Sequence, residues 1–299
     1  MRSLIGLILL VLILNIVSLD DLGDAFRGAR FTYLVAAALL MIANIGVQIL
    51  KWNYMLRFLK NISLKDMLAS FFFGVTLGSF TPGQLGEYGG RAIHLPSKEW
   101  GTVIGLAVID KLQMAGIMAL CGIVSLIILF KVHSIFIMIL GALVSILIIL
   151  PLIRFSIIHT VLKRLGLSKL KYAWVRQAAE SLSLFTRQDI AVTTVLSILL
   201  YGIIYFQLYL LMNAFEQIGP LDSFLAYAAM MFSKTLLPFS IADLGIREFG
   251  LVYFASQLGF SAPAALASAL LLFFINIVLP ALVGLFFIPQ SMSIPSIKQ

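Results

Sequence analysis

Long apolar runs recur along the chain, and they restrict it to folds that keep most side chains away from water. A helix that crosses a bilayer needs about 20 apolar residues, and several segments reach or approach that length. Of the 299 residues, 61% are hydrophobic and 11% are charged, whereas a soluble domain carries about 25% charged residues. The composition therefore predicts an all-α, polytopic membrane protein.

The hydropathy pattern predicts about six full transmembrane helices and two shorter apolar segments that run directly into interrupted sequence. The full helices are expected at 3–19, 31–50, 101–130, 133–153, 190–212 and 263–287. The shorter segments are expected at 64–80 and 223–239.

Basic residues indicate which connections are cytoplasmic, because short cytoplasmic loops are enriched in lysine and arginine. Residues 154–188 contain seven basic residues and one acidic residue, and a second basic stretch spans 51–65. With both stretches on one side, 64–100 and 221–260 must each leave and re-enter the same face. The topology therefore predicts two re-entrant hairpins that enter the membrane from opposite faces.

This topology divides the chain into two transmembrane halves related as an inverted repeat. The first half is 1–153, with its hairpin near 64–100, and the second is 189–299, with its hairpin near 221–260. The linker 154–188 between them has near-helical apolar spacing. It is either an amphipathic helix on the anionic inner leaflet or a solvated cytoplasmic connector.

Both predicted hairpins contain residues that interrupt helices. TPGQLGEYGGR, at 81–91, breaks the first hairpin, and the second has a similar order of residues. The candidate break positions are Pro82, Gly83, Gly86, Pro238 and Gly245. Broken backbone at membrane depth must face protein or a water-filled cavity, and paired interruptions are typical of transporter binding sites. The alternative for 81–91 is a water-exposed cytoplasmic loop.

Charged residues accompany both breaks. Arg91 offers a planar set of donors that suits phosphate oxygens, and Glu87, one helical turn earlier, is placed to pair with it. Arg247 and Glu248 occupy the second break. These residues are candidate ligands for an anionic group.

Further charges lie inside predicted spans. Asp110 and Lys111 are about nine residues into 101–130, which is on the order of 14 Å along a helix. Ionisable groups at that depth are costly and usually functional, and because adjacent residues point in different directions, each should pair with another segment. Lys234 supports the same argument. The alternatives are a helix that begins later and a Lys234 that extends to the interface.

Other signals are absent or weak. The sequence has no P-loop, dinucleotide fingerprint or nucleophile elbow, and its histidines and single cysteine form no metal-ligand spacing. We therefore expect no cofactor, no metal and no enzymatic activity. The acidic DDLGD at 20–24 is expected to be a solvated loop. The net charge of +8 is assigned to cytoplasmic loops and not to nucleic-acid binding.

The motifs P-G-x-L-G-E…R at 82–91 and L-G-x-R-E at 244–248, with the charged pair at 110–111, resemble the transmembrane domain of lysylphosphatidylglycerol synthases. That family also includes stand-alone flippase-like proteins. The resemblance spans about 5 to 287, and it implies a domain that moves a lipid headgroup between leaflets. This chain has Asp-Lys at 110–111 where many relatives have Glu-Arg. Because it ends at Gln299 without a soluble aminoacyl-transfer domain, we expect a stand-alone member that is not a synthase.

We therefore predict an inner-membrane lipid translocase with a polar slot between the hairpin tips. Arg91 and Arg247 would bind a phosphate, while Glu87 and Glu248 would orient them or accept the amine of an aminoacylated headgroup. The expected partners are lipids with anionic, aminoacylated or lipid-linked sugar headgroups, and a separate synthase or glycosyltransferase. Two alternatives stay open: a membrane-embedded transferase acting on polyprenyl-phosphate or phospholipid, and a non-transporting partner of a lipid synthase.

Overall fold

The computed structural model describes residues 17–131, 173–181, 184–236 and 243–289. Over these ranges the chain is helical and contains no strand. Three predictions lie wholly or mostly outside them: nearly all of the span 3–19, the span 133–153 and the greater part of the linker 154–188. Pro238 lies outside them as well.

The described residues 17–131 form five α-helices. They are α1 (Leu19–Arg27), α2 (Phe31–Leu56), α3 (Leu64–Ser79), α4 (Gly86–Ile93) and α5 (Trp100–Leu129). The second part forms α6 (Ala173–Ser181), α7 (Arg187–Phe215), α8 (Pro220–Leu236), α9 (Ile246–Ser256), α10 (Ala262–Phe273) and α11 (Leu279–Gly284). A single π-helical turn, Phe274–Val278, joins α10 to α11.

Four helical segments of the described residues are long and apolar enough to cross a membrane. They are Phe31–Leu56, Ser97–Leu129, Arg187–Phe215 and Ala262–Phe287. Their outer faces carry large exposed apolar side chains such as Ile42, at 69% exposure, and Phe286, at 89%, as expected where lipid replaces water. The chain is thus a multi-pass helical membrane protein, as predicted, and these four segments correspond to the predicted spans 31–50, 101–130, 190–212 and 263–287.

Hydroxyl side chains begin several of the helices. Ser63 and Thr186 accept hydrogen bonds from the backbone N–H of Asp66 and Asp189, and so cap α3 and α7. Ser18 and Asp21 form a reciprocal capping box at the start of α1. The prediction of a loop at 20–24 is therefore wrong, because this capping box satisfies the first N–H groups of a short exposed helix.

The two halves repeat the same order of elements. A long helix (α2 or α7) is followed by a hairpin of two helices (α3–α4 or α8–α9) and then by another long helical segment (α5 or α10–α11). The first arm of each hairpin packs on the segment that follows the hairpin of the other half, so that α3 contacts α11 and α8 contacts α5. The equivalent helices α2 and α7 also pack together.

Glycines allow the arms of the first hairpin to approach closely. A Cβ added to Gly90 of α4 would lie 2.8 Å from the Cα of Gly74 in α3, closer than real side chains pack. Small residues at such interfaces are typical of helix packing in membranes, where close backbone approach supplies the van der Waals contact. The described end of the linker also packs against protein, since α6 lies on the start of α5, at Gly101 and Gly105.

Candidate functional site

The tip of the first hairpin is a tight turn between α3 and α4. Gly83 and Gln84 both have left-handed backbone conformations, with φ of 59° and 57°. The hydroxyl of Thr81 accepts a hydrogen bond of 2.7 Å from the N–H of Gly86, the first residue of α4. A left-handed conformation is uncommon for a residue other than glycine and is often found at functional sites.

The described end of the second tip has the same features. Asp243 and Gly245 have φ of 59° and 87°, and the carboxylate of Glu248 accepts a hydrogen bond of 2.7 Å from the N–H of Gly245. Glu248 is completely buried. It therefore caps the start of α9, where the helix dipole favours a negative charge.

The two tips contact each other through their strained residues. The side-chain amide of Gln84 donates a hydrogen bond of 3.1 Å to the carboxylate of Asp243. Lys111 donates to the amide oxygen of Gln84 at 3.2 Å, and Lys234 pairs with Asp243 at 2.9 Å. The site thus lies where the two interrupted hairpins meet.

A chain of ion pairs extends from this junction. Arg91 pairs with Glu87 at 2.5 Å and with Asp110 at 3.2 Å. Lys111 pairs with the second oxygen of Glu87 at 2.5 Å, and Lys51 with the second oxygen of Asp110 at 2.6 Å. As expected from the sequence, Asp110 and Lys111 each pair with another segment, and Glu87 pairs with Arg91.

Among the described residues, Arg247 has one ion pair where Arg91 has two. It pairs with the adjacent Glu248 at 2.6 Å, and its guanidinium lies 4.9 Å from the centre of the Phe273 ring. The Nε groups of Arg91 and Arg247 are buried and have no hydrogen-bond partner in the part of the chain that the structure describes. Buried donors without partners are costly, so each arginine retains a donor that a further acceptor would satisfy.

The charged residues border one cavity of about 160 Å³. Six of the predicted site residues line it: Glu87, Arg91, Asp110, Lys111, Lys234 and Arg247. Glu248 lies behind it, bonded to Arg247. Of the break residues, Gly86 begins α4, Pro82 and Gly83 precede it in the first tip, and Gly245 stands at the second. The structure therefore brings the predicted charged residues together.

Lys51 was assigned from the sequence to a cytoplasmic loop, and that assignment is wrong. The helix α2 continues to Leu56, six residues beyond the predicted end at 50. The Lys51 side chain is only 3% exposed and also donates to the Ser197 hydroxyl at 2.5 Å. A lysine that directly follows an apolar run has the same sequence signature whether it ends a span or is buried within one.

The sequence interpretation also missed a cluster of neutral amides. Asn44 of α2 donates to Gln207 of α7 at 3.2 Å and to Asn276 of the π-helical turn at 2.9 Å. Gln48 donates to the Asn44 oxygen at 2.8 Å, and Asn276 donates to Gln207 at 3.0 Å. Asn44, Gln48 and Asn276 line the same cavity. The sequence did contain a signal for this cluster: amide side chains inside apolar spans usually form hydrogen bonds between helices.

The chemistry of this site is that of a polar chamber with a positive excess. Its ionised residues within the described ranges are five cations and four carboxylates: Lys51, Arg91, Lys111, Lys234 and Arg247 against Glu87, Asp110, Asp243 and Glu248. Over those ranges, no group of three or more histidine, cysteine or acidic side chains is arranged to hold a metal ion.

Comparison with curated proteins gives no match. A family model described as the lysylphosphatidylglycerol synthase TM region matches residues 1–284, which is almost the whole chain and includes both hairpins and every residue of the charged cavity. The chain therefore belongs to the lysylphosphatidylglycerol synthase TM-region family, and is a membrane protein of lipid metabolism or translocation.

Proposed function

We propose that this protein is a lipid translocase of the cell's inner membrane. It moves a phosphate-bearing headgroup between leaflets through the cavity where the two hairpin tips meet. The observation that carries the proposal is the position of this cavity: a positively charged chamber lies between two interrupted hairpins, each belonging to one half of the chain. Transporters built from inverted repeats typically bind their substrates at such a junction.

The arrangement of the halves supports an inverted repeat. The first arm of each hairpin packs on the helical segment that follows the hairpin of the other half, α3 on α11 and α8 on α5. The distribution of basic residues predicts that the two hairpins enter the membrane from opposite faces. Their tips, which meet, would then lie near the midplane. The halves are then 1–153 and 189–299, joined by a cytoplasmic linker at 154–188.

Arg247 is the proposed phosphate ligand. Its guanidinium faces the cavity with one protein ion pair among the described residues, so most of its N–H donors are available to phosphate oxygens. Arg91 is held by two carboxylates and by the Trp52 ring, 4.3 Å from its guanidinium carbon. We assign Arg91 mainly to fixing the first tip, with Lys111 and Lys234 adding to the positive potential.

An apolar groove beside the cavity offers a path for the lipid tails. It runs between the end of α3 and the last helical segment, has a volume of about 230 Å³ and shares Ile277 with the charged cavity. The headgroup would occupy the cavity while the tails stay in the groove and the bilayer. Such a division avoids moving acyl chains through a polar environment.

The cavity is too small for a headgroup to pass in this conformation. Its volume of about 160 Å³ is below the roughly 300 Å³ at which ligand pockets usually begin. We therefore assign the structure to a closed state, and transport requires the hairpin tips to separate. The hydrogen bond between Gln84 and Asp243 would break in that step.

Leaflet exchange in proteoliposomes tests the proposal. Fluorescent lipids with several headgroups are reconstituted with purified protein, and the fraction accessible to an impermeant quencher is followed over time. We expect headgroup-selective exchange that is lost in Arg247→Gln. The matched control is Arg27→Gln, because the Arg27 side chain on α1 is 84% exposed. Folded protein that exchanges no lipid would contradict the proposal, and lipid modification that requires a divalent metal would favour a transferase.

A further inference from the structure

We infer that the cavity selects an anionic lipid whose headgroup carries neutral hydroxyl groups, and that it excludes cationic aminoacylated headgroups. The inference rests on the proposed function and names the substrate class of the same cavity. It comes from the ion pairs that every described carboxylate of the site already makes, and from the amide cluster that lines the same cavity.

The carboxylates of the first half have no free oxygen for an added ammonium group. Glu87 accepts from Arg91 through one oxygen and from Lys111 through the other, both at 2.5 Å. Asp110 accepts from Lys51 at 2.6 Å and from Arg91 at 3.2 Å, again through different oxygens.

The carboxylates of the second half are also paired with cations. One oxygen of Asp243 accepts from both Lys234 and Gln84. Glu248 accepts from Arg247 through one oxygen and from the Gly245 N–H through the other. An incoming ammonium group would compete with these cations for the same carboxylates, and a displaced cation left buried without a counter-charge is strongly unfavourable.

The net charge of the site also favours an anionic headgroup over a cationic one. The described residues of this network carry one more positive than negative charge, and the undescribed segment 237–242 beside the second tip reads LPFSIA, with no ionisable side chain. A phosphate diester would neutralise the excess. An aminoacylated lipid such as lysylphosphatidylglycerol adds ammonium groups and would instead increase it.

The amide cluster accounts for the preference for hydroxyl groups in the headgroup. Asn44, Gln48 and Asn276 line the cavity, and amides offer both donors and acceptors without a charge. Hydroxyl groups can both donate and accept, so they match this wall better than an ammonium group, which can only donate. A glycerol headgroup and a sugar both have this chemistry.

Exchange rates in proteoliposomes test the inference on three probes with matched fluorescent tails: phosphatidylglycerol, lysylphosphatidylglycerol and a glycosyl phosphoprenol. We expect at least one of the two hydroxyl-bearing anionic probes to exchange at least about tenfold faster than the lysyl lipid, the factor that corresponds to about 1.4 kcal/mol. The faster of the two identifies the source of the hydroxyl groups. Exchange of the lysyl lipid at an equal or higher rate would overturn the inference and leave the translocase proposal standing.

A charge-adding variant tests whether the cavity sets this selectivity. Gln48 is half-buried on the cavity wall, and Gln48→Glu adds a carboxylate there in place of the amide that donates to Asn44. We expect the rate ratio of lysyl lipid to phosphatidylglycerol to rise about tenfold. The control is Gln257→Glu, the same change at an exposed position at the end of α9. Equal ratios in the two variants would overturn the inference.

Binding provides a readout that does not depend on transport. The melting temperature of detergent-solubilised protein is measured with each probe added at equal concentration. We expect a larger increase with phosphatidylglycerol or the glycosyl phosphoprenol than with the lysyl lipid, and a smaller difference in Gln48→Glu. If no lipid exchanges but this order holds, the translocase proposal fails and the selectivity stands. A larger increase with the lysyl lipid would refute the selectivity.

Discussion

Arg247 and Glu248 form an isolated buried ion pair, and a double-mutant cycle on them gives a direct test of the second tip. Arg247→Gln leaves the fully buried Glu248 with the Gly245 N–H but without a cation. Glu248→Gln leaves Arg247 without a counter-charge among the described residues. Removing one partner of a buried pair costs about 3–5 kcal/mol, so each variant should lose at least about 3 kcal/mol of unfolding free energy.

The double variant should lose no more than either single one. Replacing both members of a buried pair by neutral residues is often nearly neutral, and the amide oxygen of Glu248→Gln can still accept from the Gly245 N–H. The remaining cost is the lost contact of Arg247 with the Phe273 ring. The interaction energy of the cycle is then about 3 kcal/mol.

Reversible unfolding in mixed micelles of rising SDS content measures these free energies, with the chain's three tryptophans as the fluorescence probe. The cycle should be repeated at high salt, because a buried pair is screened much less than an exposed one. A double variant whose loss equals the sum of the two single losses would refute the assignment of a buried, isolated pair.

Two further predictions use the same unfolding assay. A Cβ at Gly89 would meet no atom within 4 Å, whereas one at Gly90 would lie 2.8 Å from the Cα of Gly74. Gly89→Ala should therefore stabilise α4 by about 0.5–1 kcal/mol and Gly90→Ala should destabilise the protein; shifts of the same sign would contradict this packing. Asp110→Asn should cost about 3–5 kcal/mol because it removes the counter-charge of Lys51, and adding Lys51→Met should restore part of that loss. A double variant less stable than Asp110→Asn would show that the two residues are not paired.

The charged part of the site could be predicted because ionisable residues are costly in a membrane. Glu87, Arg91, Asp110 and Lys111 stand out from an apolar sequence, and the break at 81–91 marked where they would meet. Helical spacing also predicted the Glu87–Arg91 pair. These features depend on charge and backbone conformation over short stretches of the chain, and such local effects can be read from a single sequence.

The partners across the cavity could not be predicted in the same way. Lys51 and Asp110 are 59 positions apart in the sequence, and nothing in the local pattern relates them. The amides of Asn44, Gln207 and Asn276 come from helices distant in the chain, so their hydrogen bonds follow from how those helices pack. The π-helical turn at Phe274–Val278, which carries Asn276, comes just before Pro280, and that proline signals a local distortion but not the partners of Asn276.

The central claim is that a headgroup crosses the membrane between the two hairpin tips, and a reversible cross-link tests it most directly. Gln84→Cys and Asp243→Cys, introduced together with Cys121→Ala, are joined by a short reducible bifunctional thiosulfonate, and the extent of bridging is measured by mass spectrometry. Leaflet exchange should stop when the tips are bridged and resume after reduction, because the cavity must open for a headgroup to pass. Exchange at an unchanged rate in fully bridged protein would contradict the account.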